Sequence, residues 1–141
     1  MSCVFCSIVA GDAPAIRIYE DDDYLAILDI RPIVRGHVLV VPKVHTVDLT
    51  DTPPATVADL VRIGQRIARA ARTSALAADG NNIVINDGKA AFQSVFHIHL
   101  HVAPRTAGDK LSFVKGLVVR RDPDREATGR ILRDALAELG S

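Results

Sequence analysis

The sequence predicts an α+β fold: a five-stranded, mainly antiparallel sheet with one long helix and a carboxy-terminal helix packed on it. Three observations predict it. Short alternating or β-branched runs follow one another at hairpin spacing in the first 42 residues. A single long stretch in the middle repeats apolar residues at helical spacing, and a second does so at the carboxy terminus. Strands and helices are not regularly alternated as parallel βαβ units would require.

Each element has its own signal. Residues 4–9 form a short amino-terminal helical turn. "IRIYE" at 16–20 alternates as a strand, "DD" at 21–22 supplies turn chemistry, and "YLAILDI" at 24–30 returns. "RP" and "RG" punctuate 31–36, and "HVLVVP" at 37–42 is a third strand ended by Pro42. The long helix is expected over residues 53–77, capped by Asp51 or Thr52, with two prolines in its first turn, where a missing N–H does little harm. Its buried face is expected to hold Val57, Leu60, Val61, Ile63, Gly64, Ile67, Ala68 and Ala71. "NNIVIND" at 81–87 is a strand, "GKAAFQ" a loop, and 94–103 the last strand, closed by Pro104. A loop or short strand runs on through 119. A helix then starts near Asp122–Pro123, with Ile131, Leu132, Ala135, Leu136 and Leu139 as its apolar face.

At 141 residues, 48% hydrophobic and 24% charged, the chain suits one domain, 1–141, with a core of its own. The longest apolar runs are too short to span a bilayer, and "MSCVFCSIVAGDAP" lacks the basic and apolar regions of a secretory signal, so a cytoplasmic protein is expected. Seventeen basic residues balance 17 acidic ones. No global charge recommends nucleic acid or an anionic membrane as partner. "EDDDY" at 20–24 reads as a solvated turn rather than a metal site, and "RR" at 120–121 is too short for a nucleic-acid patch.

"FHIHLHV" at 96–102 carries the chemistry. Side chains alternate faces along a strand, so His97, His99 and His101 share one face, with Cα atoms about 6.5–7 Å apart. Ile98, Leu100 and Val102 face the other way and anchor the strand. Two functions suit three imidazoles in register: H-x-H metal ligation, or a nucleophilic imidazole with helpers. A neutral imidazole attacks phosphorus well when its other nitrogen keeps a proton held by a carbonyl or carboxylate, and a neighbouring imidazole can protonate the leaving group. "NDGKAAFQS" just upstream offers Asn86, Gln93, Ser94 and loop N–H groups, all suited to phosphate oxygens. No G-x-x-x-x-G-K-[ST] occurs, which excludes a P-loop enzyme. Cys3 and Cys6 form a C-x-x-C pair that reads as a metal half-site, a redox pair or an incidental pair. The redox reading is weakened because nothing strand-like precedes Cys3.

"QSVFHIHLHVAP", together with "CVFCSIVAGDAPA", "IYEDDDYLAILDIRP", "GHVLVVPKVH" and "NDGKAAFQSV", resembles the histidine-triad (HIT) family over residues 3–105. The likeness is greatest to its nucleoside phosphoramidase-like branch. It implies an α+β homodimer whose sheets join, acting on purine nucleoside phosphoramidates or related adenylates through a nucleotidyl-histidine intermediate. His99 would attack phosphorus; His101 would contact the phosphate and assist leaving-group protonation. Asn86, Gln93 and Ser94 would hold phosphate or leaving-group oxygens. Asp29 would accept hydrogen bonds from the ribose hydroxyls, since a carboxylate can accept from both. Phe5, Ile8, Ile27, Ile30 and Leu39 match apolar positions around the base. The resemblance also implies a structural zinc on Cys3, Cys6, His45 and His97, and no organic cofactor. His37 stands near the sheet face, without a firm role.

One departure stands out: Lys89-Ala90-Ala91-Phe92 fills a loop where this branch often has glycine, so a position needing positive φ would be strained. The extension beyond 105, residues 106–141, is longer than in minimal members and serves to shape a leaving-group pocket, to pack on a dimer, or simply as padding. Three other functions compete with the phosphoramidase reading: a dinucleoside polyphosphate hydrolase, a non-enzymatic nucleotide-binding or interaction protein, and a metal enzyme using all three histidines.

Overall fold

A computed structural model describes residues 3–119 and 121–140. Position 120, half of the basic pair at 120–121, lies outside the described residues. The elements are α1 (Val4–Val9), β1 (Arg17–Glu20), β2 (Tyr24–Leu28), β3 (Val38–Pro42), α2 (Pro54–Thr73), β4 (Gly80–Ile85), β5 (Leu100–Arg105), α3 (Lys110–Gly116) and α4 (Arg125–Leu139), with a 3-10 turn at Lys89–Ala91. The five strands form one antiparallel sheet in the order β1-β2-β3-β5-β4, as the α+β expectation requires. No helix is long and apolar enough to cross a membrane.

The acidic run at 20–24 is a turn. Asp21 accepts the N–H groups of Asp23 and Tyr24 at 2.8 and 2.7 Å, the local bonding that makes aspartate a turn residue. β2 and β3 are buried along their whole length and alternate between two cores. Ala26, Leu28, Val38 and Val40 join Leu60, Ile63 and Ile67 of α2 and Leu132 and Leu136 of α4 on one side. Leu25, Ile27, Leu39 and Val41 join Phe5 and Ile8 of α1 on the other. β5 and the residues leading into it follow the same rule: Ile98, Leu100 and Val102 pack in the α2 core. Gly64 lets α2 come this close, because a Cβ there would lie 2.8 Å from Leu100 Cδ2.

Several boundaries differ from expectation. The strand expected over 94–103 is Leu100–Arg105; residues 95–97 bend, and the alternation of faces nonetheless persists through 97–101. Pro104 does not close it: opposite Val102, β3 has already ended at Val38, so position 104 needs no N–H on that side and pairs with Asn81 of β4 on the other. The long helix starts at Pro54 and ends at Thr73, without a side-chain cap. Asp51 and Thr52 are spent inside the preceding turn: Asp51 accepts the Val47 N–H, and Thr52 bonds the Asp48 carbonyl and the Thr46 hydroxyl. Val61 is exposed, with Val57 and Ala68 half-buried, so the buried stripe is narrower than expected. In α4, Leu132, Ala135 and Leu136 are buried, Ile131 is half-buried and Leu139 is exposed. Residues 110–116, read as loop or strand, form α3.

Candidate active site and candidate metal centre

The three histidines do different things. The bend before β5 is pinned by the Ile98 N–H, which donates to the Thr46 carbonyl at 2.8 Å. His97 is fully buried, and its Nε2–H donates to the Pro42 carbonyl at 2.7 Å. That leaves Nδ1 as the lone-pair atom, 3.4 Å from Cys3 Sγ and 3.6 Å from Cys6 Sγ. Burial pushes the His97 pKa down, opposed by the bond to Pro42 and helped by the neighbouring His45 and His99. His99 Nδ1–H donates to the His97 carbonyl at 2.8 Å, which makes Nε2 its lone-pair atom. Burial is the main cause that holds its pKa below the ordinary imidazole value; the bond to the His97 carbonyl and the Asp29 charge oppose it. The ring is therefore neutral at neutral pH.

His101, on β5 opposite Leu39, is backed by His37. The Ile33 N–H donates to His37 Nδ1 at 3.1 Å, so the proton of His37 resides on Nε2, 2.9 Å from His101 Nδ1. Passing the proton direction along this line makes His101 an Nε2–H donor. His37 is 2% exposed and sits on the same strand face as Leu39; the sequence left it without a firm role, and that parity is the signal from which its position beside the histidine face could have been read. Asp29 completes the group: one carboxylate oxygen accepts the Arg31 N–H at 2.9 Å, the other lies 3.7 Å from His37 Nδ1. Asp29, His37 and His101 are close enough to share a cation, but the bonds to Ile33 and between the rings already occupy both His37 nitrogens.

These groups border a cavity of about 310 Å³. Phe5, Ile8, Ile27 and Leu39 are buried around it, and Ile30, 67% exposed, stands at its rim. The Phe5 ring meets His99 edge-on, with centroids 5.0 Å apart. Asn86, Ser94, Asp29, His99 and His101 also line it. Gln93 does not. Its amide donates to the Val47 and Val95 carbonyls at 2.6 and 3.1 Å and accepts the Gly88 N–H at 2.8 Å, so it is buried in its own loop. Phe92, marked in the sequence only as part of the loop that lacks glycine and not as a site residue, is part of the cavity wall, and its φ of +71° is the strained position that loop foreshadowed.

Cys3, Cys6, His45 and His97 converge behind His99, their four ligand atoms within 4.8 Å of one another. Cys6 Sγ lies 3.3 Å from His45 Nδ1. A tetrahedral zinc with bonds of roughly 2.0–2.3 Å separates its ligands by about 3.3–3.8 Å, so the spacing fits this ion. The donor chemistry fits too. Burial and the adjacent Cys3 push the Cys6 thiol pKa up, and a divalent cation is what would favour two thiolates here. The His97 bond to Pro42 is the outer-shell contact a ligating imidazole ordinarily makes.

The HIT domain family matches residues 10–108. The chain belongs to the HIT family. A HIT-like protein of Mycobacterium tuberculosis is 72% identical over 138 residues, spanning 98% of this chain and 95% of its own length. The adenosine 5'-monophosphoramidase of Saccharomyces cerevisiae is 33% identical, over 98% of this chain and 83% of the yeast protein. Among solved structures, a Zn-bound histidine-triad protein from Mycobacterium smegmatis superposes with a TM-score of 0.92 at 74% identity, covering 99% of this chain and 96% of that one.

Proposed function

We propose that this HIT protein hydrolyses purine nucleoside phosphoramidates or related adenylates through a nucleotidyl-histidine on His99. The observation that carries the reading is the tether of His99: Nδ1–H is fixed to the His97 carbonyl, and the neutral ring borders the cavity shared with Asp29 and His101. In the first step the His99 Nε2 lone pair forms a bond to the α-phosphorus as the P–N or P–O bond to the leaving group breaks. The departing atom is hydrogen-bonded by His101 Nε2–H, whose orientation His37 fixes, and takes up its proton from water. In the second step water cleaves the P–Nε2 bond. The proton released by that water passes to solvent, and both rings keep their starting protonation. Asn86 and Ser94 face the phosphate oxygens, Asp29 takes the ribose hydroxyls, and Phe5, Ile8, Ile27, Ile30 and Leu39 receive the base. The name of the yeast relative supports the substrate class.

Cys3, Cys6, His45 and His97 would hold a zinc that supplies structure, clamping α1 to the bend before β5. The zinc-bound relative supports that assignment. In the same reading the functional unit is a homodimer. The test is His99→Ala assayed on adenosine phosphoramidate, with rapid quenching and mass spectrometry of the wild type. We expect an adenylyl adduct on the peptide holding His99, and loss of at least roughly a thousandfold in kcat for the variant. Full activity in the variant, or an adduct on another residue, refutes the mechanism.

A further inference from the structure

We propose that the segment past residue 105 clamps the loop joining β2 to β3, residues 29–37, and that Gly116 and Thr128 are positioning residues for Asp29 at its start. The inference rests on the proposed reading, in which Asp29 takes the ribose hydroxyls. Neither Gly116 nor Thr128 borders the nucleotide cavity. Inside the loop, one line of contacts leads to the carboxylate. The Ile33 N–H donates to His37 Nδ1 at 3.1 Å, and the same nitrogen lies 3.7 Å from Asp29 Oδ2. The His37 N–H donates to the Val34 carbonyl at 3.1 Å, and the Asp29 N–H donates to the His37 carbonyl at 2.9 Å. A shift of Ile33 is thus passed to the carboxylate through His37.

Two points of the extension bear on this loop. The first is α3. Its one buried residue is Gly116, while Leu111 is 84% exposed and Val114 60%, so no apolar stripe holds the helix. A Cβ built on Gly116 would overlap the Ile33 carbonyl oxygen and lie 2.9 Å from the Ile33 carbonyl carbon. Gly116 is not among the glycines with positive φ, so what it supplies is room for the two backbones to touch. The obstructing atoms are backbone and cannot swing aside as the end of a side chain can; the loop itself has to move. The second point is α4. The Arg35 Nε–H donates to the Thr128 hydroxyl at 2.8 Å, and that hydroxyl donates to the Asp122 carboxylate at 2.6 Å. Thr128 is fully buried, so a partner lost here is not replaced by water. Ile33 and Arg35 are thereby fixed to two different helices of the extension.

The test measures kcat/KM for adenosine phosphoramidate and for its 2'-deoxy counterpart in wild type, Gly116→Ala, Thr128→Val and Thr128→Ser. Wild type should prefer the ribonucleotide by roughly tenfold or more, the scale of one hydrogen bond to a charged acceptor. Gly116→Ala and Thr128→Val should each bring that ratio towards unity, and Thr128→Ser, which keeps the hydroxyl, should retain it. A purely structural role would lower both substrates together as folded protein is lost, with the ratio unmoved. Should Gly116→Ala fail to fold, the pair Thr128→Val and Thr128→Ser decides. A ratio that either folded variant leaves at the wild-type value overturns the clamp and leaves the His99 reading standing, as does a Thr128→Ser ratio as low as that of Thr128→Val. Equal rates on both substrates in wild type remove Asp29 from the sugar and overturn the inference with it. Failure of wild type to turn over either substrate sinks both the inference and the reading beneath it.

Discussion

Gly64→Ala tests how tightly α2 is set against the strand that carries His101. The added Cβ would stand 2.8 Å from Leu100 Cδ2, against an ordinary carbon–carbon contact of about 3.5–4.0 Å. Two effects compete. Alanine improves helix propensity by about 0.8–1.0 kcal/mol. Overpacking a filled core costs about 1–3 kcal/mol. Leu100 Cδ2 ends a flexible side chain, yet Leu100 is 1% exposed and lies among Leu60, Ile63 and Val102, so it has nowhere open to swing. Overpacking wins, with a net loss of about 1 kcal/mol and a fall in Tm of about 3 °C. A double-mutant cycle isolates the contact. Leu100→Ala alone should cost about 2–5 kcal/mol, and on that background Gly64→Ala should become stabilising by about 1 kcal/mol, because the obstructing atoms are gone. Thermal or urea unfolding of the four proteins measures all terms. A higher Tm for Gly64→Ala in the otherwise native chain would refute the packing argument.

Replacing Cys6 by serine should lower bound zinc from about one per chain and lower Tm; at a thousandfold excess of metal over Kd the bound ion contributes about 4 kcal/mol. Identical melting of chelated and zinc-loaded protein would count against a structural metal. Asp29→Asn should raise KM for the ribonucleotide far more than for its deoxy counterpart, and an equal rise for both would remove Asp29 from the sugar. The Arg105 guanidinium, with the Thr106 N–H, holds the Asp109 carboxyl below its ordinary value. A depressed carboxylate stabilises above the unfolded pKa, about 3.9, and that contribution disappears as pH falls through the folded value. The urea midpoints of wild type and Asp109→Asn should thus differ at pH 7 and converge below about pH 4; a gap that persists in acid would disprove the linkage.

Much of this was legible in the chain because burial and chemistry agreed. The alternation of His97, His99 and His101 with Ile98, Leu100 and Val102 survives even where the ladder has not begun, since both the α2 core and the cavity side demand it. The four residues of the candidate metal centre come together, and Asp29 and the apolar residues named from the sequence line one cavity. What escaped lacked a periodic signal. α3 buries only Gly116, while Leu111 and Val114 face outward, so no apolar stripe announces it. Gln93 looks like a phosphate donor by residue type, and only the loop geometry shows its amide already engaged. The capping roles expected of Asp51 and Thr52 failed for the same reason: a short polar side chain takes the nearest partner, and here that partner lies in the preceding turn.

β2 and β3 are apolar on both faces, and this leaves hydrophobicity unable to tell one alignment of these strands from the next. A slip by one residue would exchange oily side chains for other oily side chains and hide as much surface. What penalises the slip is a pair of links at the two ends of the β2–β3 ladder: Lys43 N–H on the Asp23 carbonyl, and Asp29 N–H on the His37 carbonyl. A misaligned chain would be just as greasy and just as compact, yet it would put Val38 behind His101 where His37 belongs. Fidelity of the candidate site is thus entrusted to the strand ends rather than to the interior.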